Sequence, residues 1–254
     1  MLKIERFTTI EQELKKRGSL SIPALSHLLD CSEETIRRDL KELEAAGKLT
    51  RTRGGAYLGD KYDKTYSSTL RKILYQEEKT RMARFAMEYI QDSDVIFLDS
   101  STTCLTLAEF VLNSQLSITL VTNSMMICNL CTGPNNNINL ICLGGSFRTR
   151  TSSFVGYHTT DILSTYYADR AFISCPKATL AEGLSDNHLN EAKVRECMLK
   201  HSQQRFLIMD HTKFDESANI RFDGLEEVDV IITDRPLSDE WTEFCQHRGI
   251  DVIY

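Results

Sequence analysis

The stretch SIPALSHLLDCSEETIRRDLKELEAAGKLTRTRGGAYL, residues 21–58, sets the terms on which the rest of the chain is read. Ser21 is placed to cap a short helix that tolerates Pro23 in its first turn and turns Leu25, Leu28 and Leu29 toward a core. Asp30 and Cys31 make a turn. Ser32 then caps a further helix along which Ile36, Leu40 and Leu43 recur at i, i+4, i+7, and Gly47 ends it. At about 100° per residue, Glu34, Arg38 and Lys41 lie opposite that apolar stripe, with Thr35 and Arg37 on its flanks. Two short helices joined by a tight turn, the second presenting basic side chains, describe a helix-turn-helix whose second helix suits a major groove. In residues 49–58 the pair Gly54 and Gly55 separates two β-prone runs, which predicts a hairpin with Arg51 and Arg53 on one face. Such a basic wing is suited to phosphate contacts, and the capped helix start at Ser32 to another. Base readout is expected from Thr35, Arg37 and Arg38, with Lys41 on the same face. Upstream, Ile4, Phe7, Ile10 and Leu14 recur at helical spacing before Gly18, which predicts a first helix.

Composition agrees with a nucleic-acid-binding module once the chain is divided. The net charge is −6 over 254 residues, yet residues 1–60 sum to +1 and residues 61–254 to −7. A 41% hydrophobic chain of this length supports a packed core and favours two domains. No apolar run approaches the length of a membrane span, and the opening residues lack the apolar block of a secretory signal. Eight cysteines without a regular framework suit free thiols, so a cytoplasmic protein is expected.

Residues 59–71 are polar and aperiodic and read as a linker between residues 1–58 and 72–254. A helix is predicted from Lys72 to Ile90, with Met82, Phe85, Ala86 and Tyr89 on one face. Beyond it, short apolar runs at Val95–Leu98, Ile118–Val121, Ile138–Leu143, Ala171–Ser174, Phe206–Met209, Val228–Thr233 and Asp251–Tyr254 alternate with helical stretches. The fold class is therefore α/β: a winged helix-turn-helix followed by a doubly wound, mostly parallel sheet covered on both faces.

In such sheets ligands bind beyond the carboxyl ends of the strands. One end leads through Asp99, Ser100, Ser101, Thr102 and Thr103 into a helix, and the next through Thr122 and Asn123. A third carries Gly144 and Gly145, where backbone can approach a ligand, and a later one leads to Lys213. Hydroxyl groups at a helix N-terminus together with an ammonium suit an anion, so these residues form a candidate site for a phosphorylated small molecule.

The motifs TIRRDL (35–40) and RTRGGA (51–56) together resemble the amino-terminal signature of the DeoR family of bacterial transcriptional regulators. The segments LDSSTT (98–103), VTNS (121–124), LGG (143–145) with SFVG (153–156), and DHTKF (210–214) look like the effector domain of that family. The resemblance implies a domain similar in fold to ribose-5-phosphate isomerase and the coenzyme A transferases. It also implies a sugar-phosphate sensor, usually a repressor of carbohydrate or nucleoside genes. The expected partners are double-stranded operator DNA and a phosphorylated sugar effector. Because specific sites are commonly read by symmetric dimers, a homodimer or homotetramer is expected, joined through the effector domain. The family usually has glycine where Ser101 stands.

Two rival readings stay open. A sugar-phosphate enzyme with an accessory DNA-binding domain requires an acid–base pair at the strand ends, and none is found around Asp169–Ser174. A ligand-independent DNA-binding protein with a degenerate pocket is kept in play by Ser101. No catalytic residue, metal site or cofactor is expected. Cys128 and Cys131 lie inside an amphipathic helix without a second pair and read as core thiols. Glu191 and Lys193 echo a helix start of the isomerases, and a surface helix start explains them equally well.

Overall fold

The computed structural model describes residues 2–17, 19–46, 48–52, 54–57, 68–133 and 137–254. Gly18, Gly47, Arg53 and residues 58–67, which include most of the expected linker, lie outside the described residues. The chain divides into two compact units, Met1–Leu74 and Tyr75–Tyr254.

The first unit runs α1 (Lys3–Arg17), β1 (Ser19–Ser21), α2 (Ile22–Leu29), α3 (Glu33–Ala45), β2 (Thr50–Thr52), β3 (Gly55–Tyr57) and α4 (Ser68–Ile73). Ser21 and Ser32 are the caps expected of them, their hydroxyls accepting from Ala24 N at 3.1 Å and Thr35 N at 3.2 Å. Asp30 takes the left-handed conformation (φ 47°) that turns the chain between α2 and α3. Ile10, Leu14, Leu25, Leu29, Ile36, Leu40 and Leu43 form one core. Ile4 and Leu28, read as core-facing, are instead 80% and 44% exposed, because each falls just off the stripe its helix buries. The hairpin gains a strand the sequence does not announce: the sheet order is β1-β3-β2, and β1 holds a single apolar residue, Leu20. Gly55 makes that third strand possible. A Cβ there would lie 2.1 Å from Leu20 O and 2.9 Å from Ser21 Cα, so its role is close approach within the sheet rather than the turn. Residues 68–71, read as linker, belong to α4. The helix predicted across 72–90 is interrupted at Tyr75, which adopts φ 52°, and resumes afterwards.

The second unit continues through α5 (Gln76–Met87), β4 (Val95–Leu98), α6 (Thr102–Leu112), β5 (Ile118–Thr122), α7 (Met125–Leu130), β6 (Ile138–Cys142), β7 (Ser146–Arg148), β8 (Ser153–Val155), α8 (Tyr157–Leu163) and β9 (Ala168–Ile173). It closes with β10 (Lys177–Thr179), β11 (Gly183–Asp186), α9 (Leu189–Lys200), β12 (Ser202–Ile208), β13 (Ile220–Asp223), β14 (Val230–Ile232), α10 (Asp239–Arg248) and β15 (Asp251–Ile253). The seven predicted strands are the seven of one parallel sheet, ordered β15-β14-β12-β9-β4-β5-β6. Side chains alternate between its faces as the two-residue period requires. Phe97, Val121, Ala171, Leu207 and Ile231 pack with α8, α9 and α10. Ile96, Leu98, Leu120, Phe172, Phe206 and Ile232 pack with α5, α6 and α7. The antiparallel pair β7-β8 and the small sheet β10-β11-β13 lie outside this frame.

Candidate functional site

On the first unit, the outward face of α3 is laced with its own counter-charges. Arg37 Nη2 donates to Glu33 Oε2 at 3.0 Å, and Arg38 Nε lies 3.7 Å from Glu34 Oε1 with the arginine side chain 77% exposed. Lys41 is exposed on the same helix. The Ser32 and Thr35 hydroxyls are 2.9 Å apart, and Thr35 is only half-exposed. On β2, Arg51 donates from Nε to Glu44 Oε2 at 2.7 Å and from its backbone to Oε1 at 2.8 Å. Those hydrogen bonds hold the Glu44 carboxyl below its usual range. Exposed ion pairs of this kind contribute little, so exchanging a glutamate for a phosphate or a base edge costs little. Asp39 faces inward, where it is buried and accepts Arg6 Nε at 2.6 Å and Nη2 at 3.0 Å, tying α1 to α3.

In the second unit the chain runs from β4 outward through β5 and β6, then returns to the other side of β4 and continues through β9, β12, β14 and β15. The point between the carboxyl ends of β4 and β9 is thus a topological switch point, where loops diverge to opposite sides of the sheet and where open α/β sheets form their ligand crevice. The Asp99–Thr103 loop lies on one side of it and Ser174 on the other, with Ser174 N donating to Asp99 Oδ2 at 3.4 Å. Lys213 comes from the turn after β12, and its Nζ lies 3.1 Å from Ser174 Oγ and 3.4 Å from Asp210 Oδ2. Burial opposes charge on Asp210, but Lys213 and Thr212 outweigh it and hold the carboxyl below its usual range. Ser101 caps α6, its hydroxyl accepting from Cys104 N at 3.0 Å, with φ −70° and ψ 153°. A side chain is therefore accommodated without strain at this position. The early N–H groups of a helix that lack intrahelical partners are the natural contacts for an anion.

Beneath this rim lies a charged knot that sequence reading missed. Arg195 on α9 is buried. Its Nε donates to Asp99 Oδ2 and to Ser174 O, each at 2.7 Å, and its Nη1 to Asp186 on β11. Burial pushes its proton affinity down, but Asp99, Asp186 and Glu191 more than compensate and raise it. Glu191, expected on a surface helix start, is 2% exposed. Its Oε1 accepts from Thr151 Oγ1 at 2.5 Å and Ser153 Oγ at 2.7 Å, and its Oε2 from Ser100 Oγ at 3.1 Å. Burial opposes its charge, yet Arg195, the two hydroxyls and Arg148 hold its carboxyl below the usual range. Asp99, placed by the sequence among effector contacts, is committed here instead: Oδ1 accepts from Ser101 N and Oδ2 from Arg195. The sequence signal was a helical stripe, Glu191, Val194, Arg195 and Met198, carrying charges at core-facing positions. Carboxylates do gather at these strand ends, contrary to the sequence reading. Glu191, fully hydrogen-bonded and held ionised, is poorly suited to act as a general base.

Thr122 Oγ1 donates to Leu98 O at 2.7 Å, bracing β5 against β4. Asn123 and Thr103 are each 1% exposed, and Asn123 Oδ1 and Thr103 Oγ1 find no hydrogen-bond partner among the described residues. A buried polar atom left so costs about 1–3 kcal/mol, which a ligand can recover. Gly144 is exposed. Gly145 (φ 138°) serves packing within the unit, since a Cβ there would strike Thr159 Oγ1 at 2.1 Å.

The comparisons with known proteins agree with both units. The DeoR-like helix-turn-helix domain matches residues 6–61 and the DeoR C terminal sensor domain residues 75–235. The chain is 30% identical over 251 residues to the HTH-type transcriptional regulator IolR of Bacillus subtilis (strain 168), covering 99% of each. It is 34% identical over 253 residues to the lactose phosphotransferase system repressor of Lactococcus lactis subsp. lactis, covering 98% of each. Among solved structures, ribose 5-phosphate isomerase A of Methanocaldococcus jannaschii aligns with 55% of each chain at a TM-score of 0.40 and 15% identity.

Proposed function

Since this chain belongs to the DeoR family of helix-turn-helix transcriptional regulators, we propose that it represses genes of carbohydrate uptake or catabolism and is controlled by a phosphorylated sugar. The first unit reads operator DNA through Thr35, Arg37, Arg38 and Lys41, and holds phosphates through Ser32, Arg51 and Arg53. The second unit binds the sugar phosphate at the switch point, with Ser100, Ser101, Thr102, Thr103, Thr122, Asn123, Gly144 and Lys213 as its contacts. Asp99 positions the loop through Arg195 rather than touching the ligand.

One observation carries the effector reading: the Lys213 ammonium reaches Ser174 at the crevice between β4 and β9, beside the capped start of α6. An ammonium, hydroxyls and a helix N-terminus converge there on the chemistry of a phosphate dianion. The protein works in the cytoplasm as a homodimer or homotetramer, which matches the symmetry of operator half-sites. The test is calorimetric titration of the full chain with a panel of sugar phosphates. Lys213→Ala should weaken binding about tenfold or more, because charge-assisted hydrogen bonds contribute about 1.5–3 kcal/mol, while operator affinity without ligand is kept. Unchanged affinity in that variant would place the effector elsewhere. Loss of operator binding with a lowered Tm would make Lys213 structural.

A further inference from the structure

Asn123 leaves the carboxyl end of β5. The pairing of Thr122 with Leu98 on one side and Cys142 on the other sets it between the Asp99–Thr103 loop and the turn at Gly144. Its conformation is fixed twice by one partner. Phe154 N donates to the Asn123 backbone carbonyl at 2.8 Å, and Asn123 Nδ2 donates to Phe154 O at 2.9 Å. A carbonyl oxygen can only accept, so the end of the amide facing Phe154 must be its nitrogen. The oxygen is thereby forced to the other side. There it is buried, in a residue 1% exposed, and no group among the described residues donates to it.

An amide oxygen held in this way can accept from a donor but cannot pair with an acceptor. The phosphate end of a ligand at neutral pH offers mainly acceptors, whereas a sugar hydroxyl offers a donor. We propose that Asn123 is the specificity-determining residue of the effector site, its Oδ1 accepting a hydrogen bond from a ligand hydroxyl and so selecting a phosphorylated polyol over a bare oxyanion. The inference rests on the effector reading above and adds to it what the sugar portion must present. A site built to pair with a hydroxyl discriminates strongly against the analogue that lacks it, because the buried acceptor is then left alone.

The test uses the full chain and defined probes: ribose 5-phosphate, glucose 6-phosphate and fructose 6-phosphate, their monodeoxy analogues, and sulfate as an anion with no proton to donate. For a sugar phosphate that binds, one monodeoxy analogue should bind at least about tenfold more weakly to the unaltered protein. Asn123→Ala should bind that pair equally, and its preference for the sugar phosphate over sulfate should narrow at least about tenfold. The variant also loses the bond to Phe154 O, so the deoxy series on the unaltered protein decides the matter if Asn123→Ala does not fold. Deoxy analogues that all bind as well as their parents overturn the assignment, as does an Asn123→Ala protein that still tells the pair apart. Where Lys213→Ala loses binding but the deoxy series is flat, the Asn123 assignment alone fails. Where no sugar phosphate binds, or Lys213→Ala binds as the parent does, the effector reading fails and takes this proposal with it.

Discussion

Single residues set the sharpest expectations. The Glu191 carboxyl is held below its ordinary value of 4.5, so its stabilising contribution is complete above that pH and is lost as pH falls through the lower, folded value. Thermal unfolding followed from pH 7 to pH 3 should therefore show a Tm that drops more steeply in the parent than in Glu191→Gln. Equal slopes would mean that Glu191 is not charged in the fold. At neutral pH that substitution should cost about 2 kcal/mol. That is less than the ~3–5 kcal/mol of an orphaned buried charge, because Arg195 keeps Asp99 and Asp186. Gly55 poses a steric problem instead. With a Cβ only 2.1 Å from Leu20 O, Gly55→Ala should lower the stability of the first unit by about 3 kcal/mol, the upper end of overpacking costs. Denaturant titration of the variant checks it, and a loss below 1 kcal/mol would show that β1 moves away freely.

Among the elements, legibility followed apolar periodicity. Each strand of the large sheet was visible as an apolar run: β4, β5 and β14 are almost wholly buried, β9 and β12 end in buried apolar residues, and the edge strands β6 and β15 keep apolar residues although partly exposed. β1, β7, β8, β10, β11 and β13 were not, since three or four residues such as SLS or GLSD carry almost no period. The crevice was legible in part for the same reason: caps and hydroxyl loops lie next to strands in sequence, but the meeting of Asp99, Asp186, Glu191 and Arg195 joins residues up to 96 positions apart. Within the first unit, α3 and the β2–β3 hairpin should make separable contributions to DNA binding. Arg38→Ala should remove sequence preference, as a bidentate base contact is worth about 1–3 kcal/mol of discrimination. Arg51→Ala should weaken specific and non-specific DNA alike and lower the slope of affinity against salt by about one ion. Competition binding at several salt concentrations separates the two, and an unchanged slope in Arg51→Ala would remove the wing from the backbone.

For the whole molecule, the separate cores of the two units predict two thermal transitions by calorimetry rather than one. Gly55→Ala should shift only one of them and Glu191→Gln only the other. Both variants moving both transitions would show that the units unfold together. The place of β4 in the sheet has a consequence for how the protein is made. Its partner β9 follows far behind, with Ser174 75 positions after Asp99 in the chain. At about 5–20 residues per second, a ribosome needs roughly 4–15 s to supply that stretch. During that interval β4 and β5 can pair, but the other edge of β4 remains open, and Arg195 arrives later still. The first unit, which lies wholly within Met1–Leu74, is synthesised long before. The nascent chain thus acquires its helix-turn-helix unit while its sensor domain is still an open half-sheet, in which the switch point between β4 and β9 cannot yet exist.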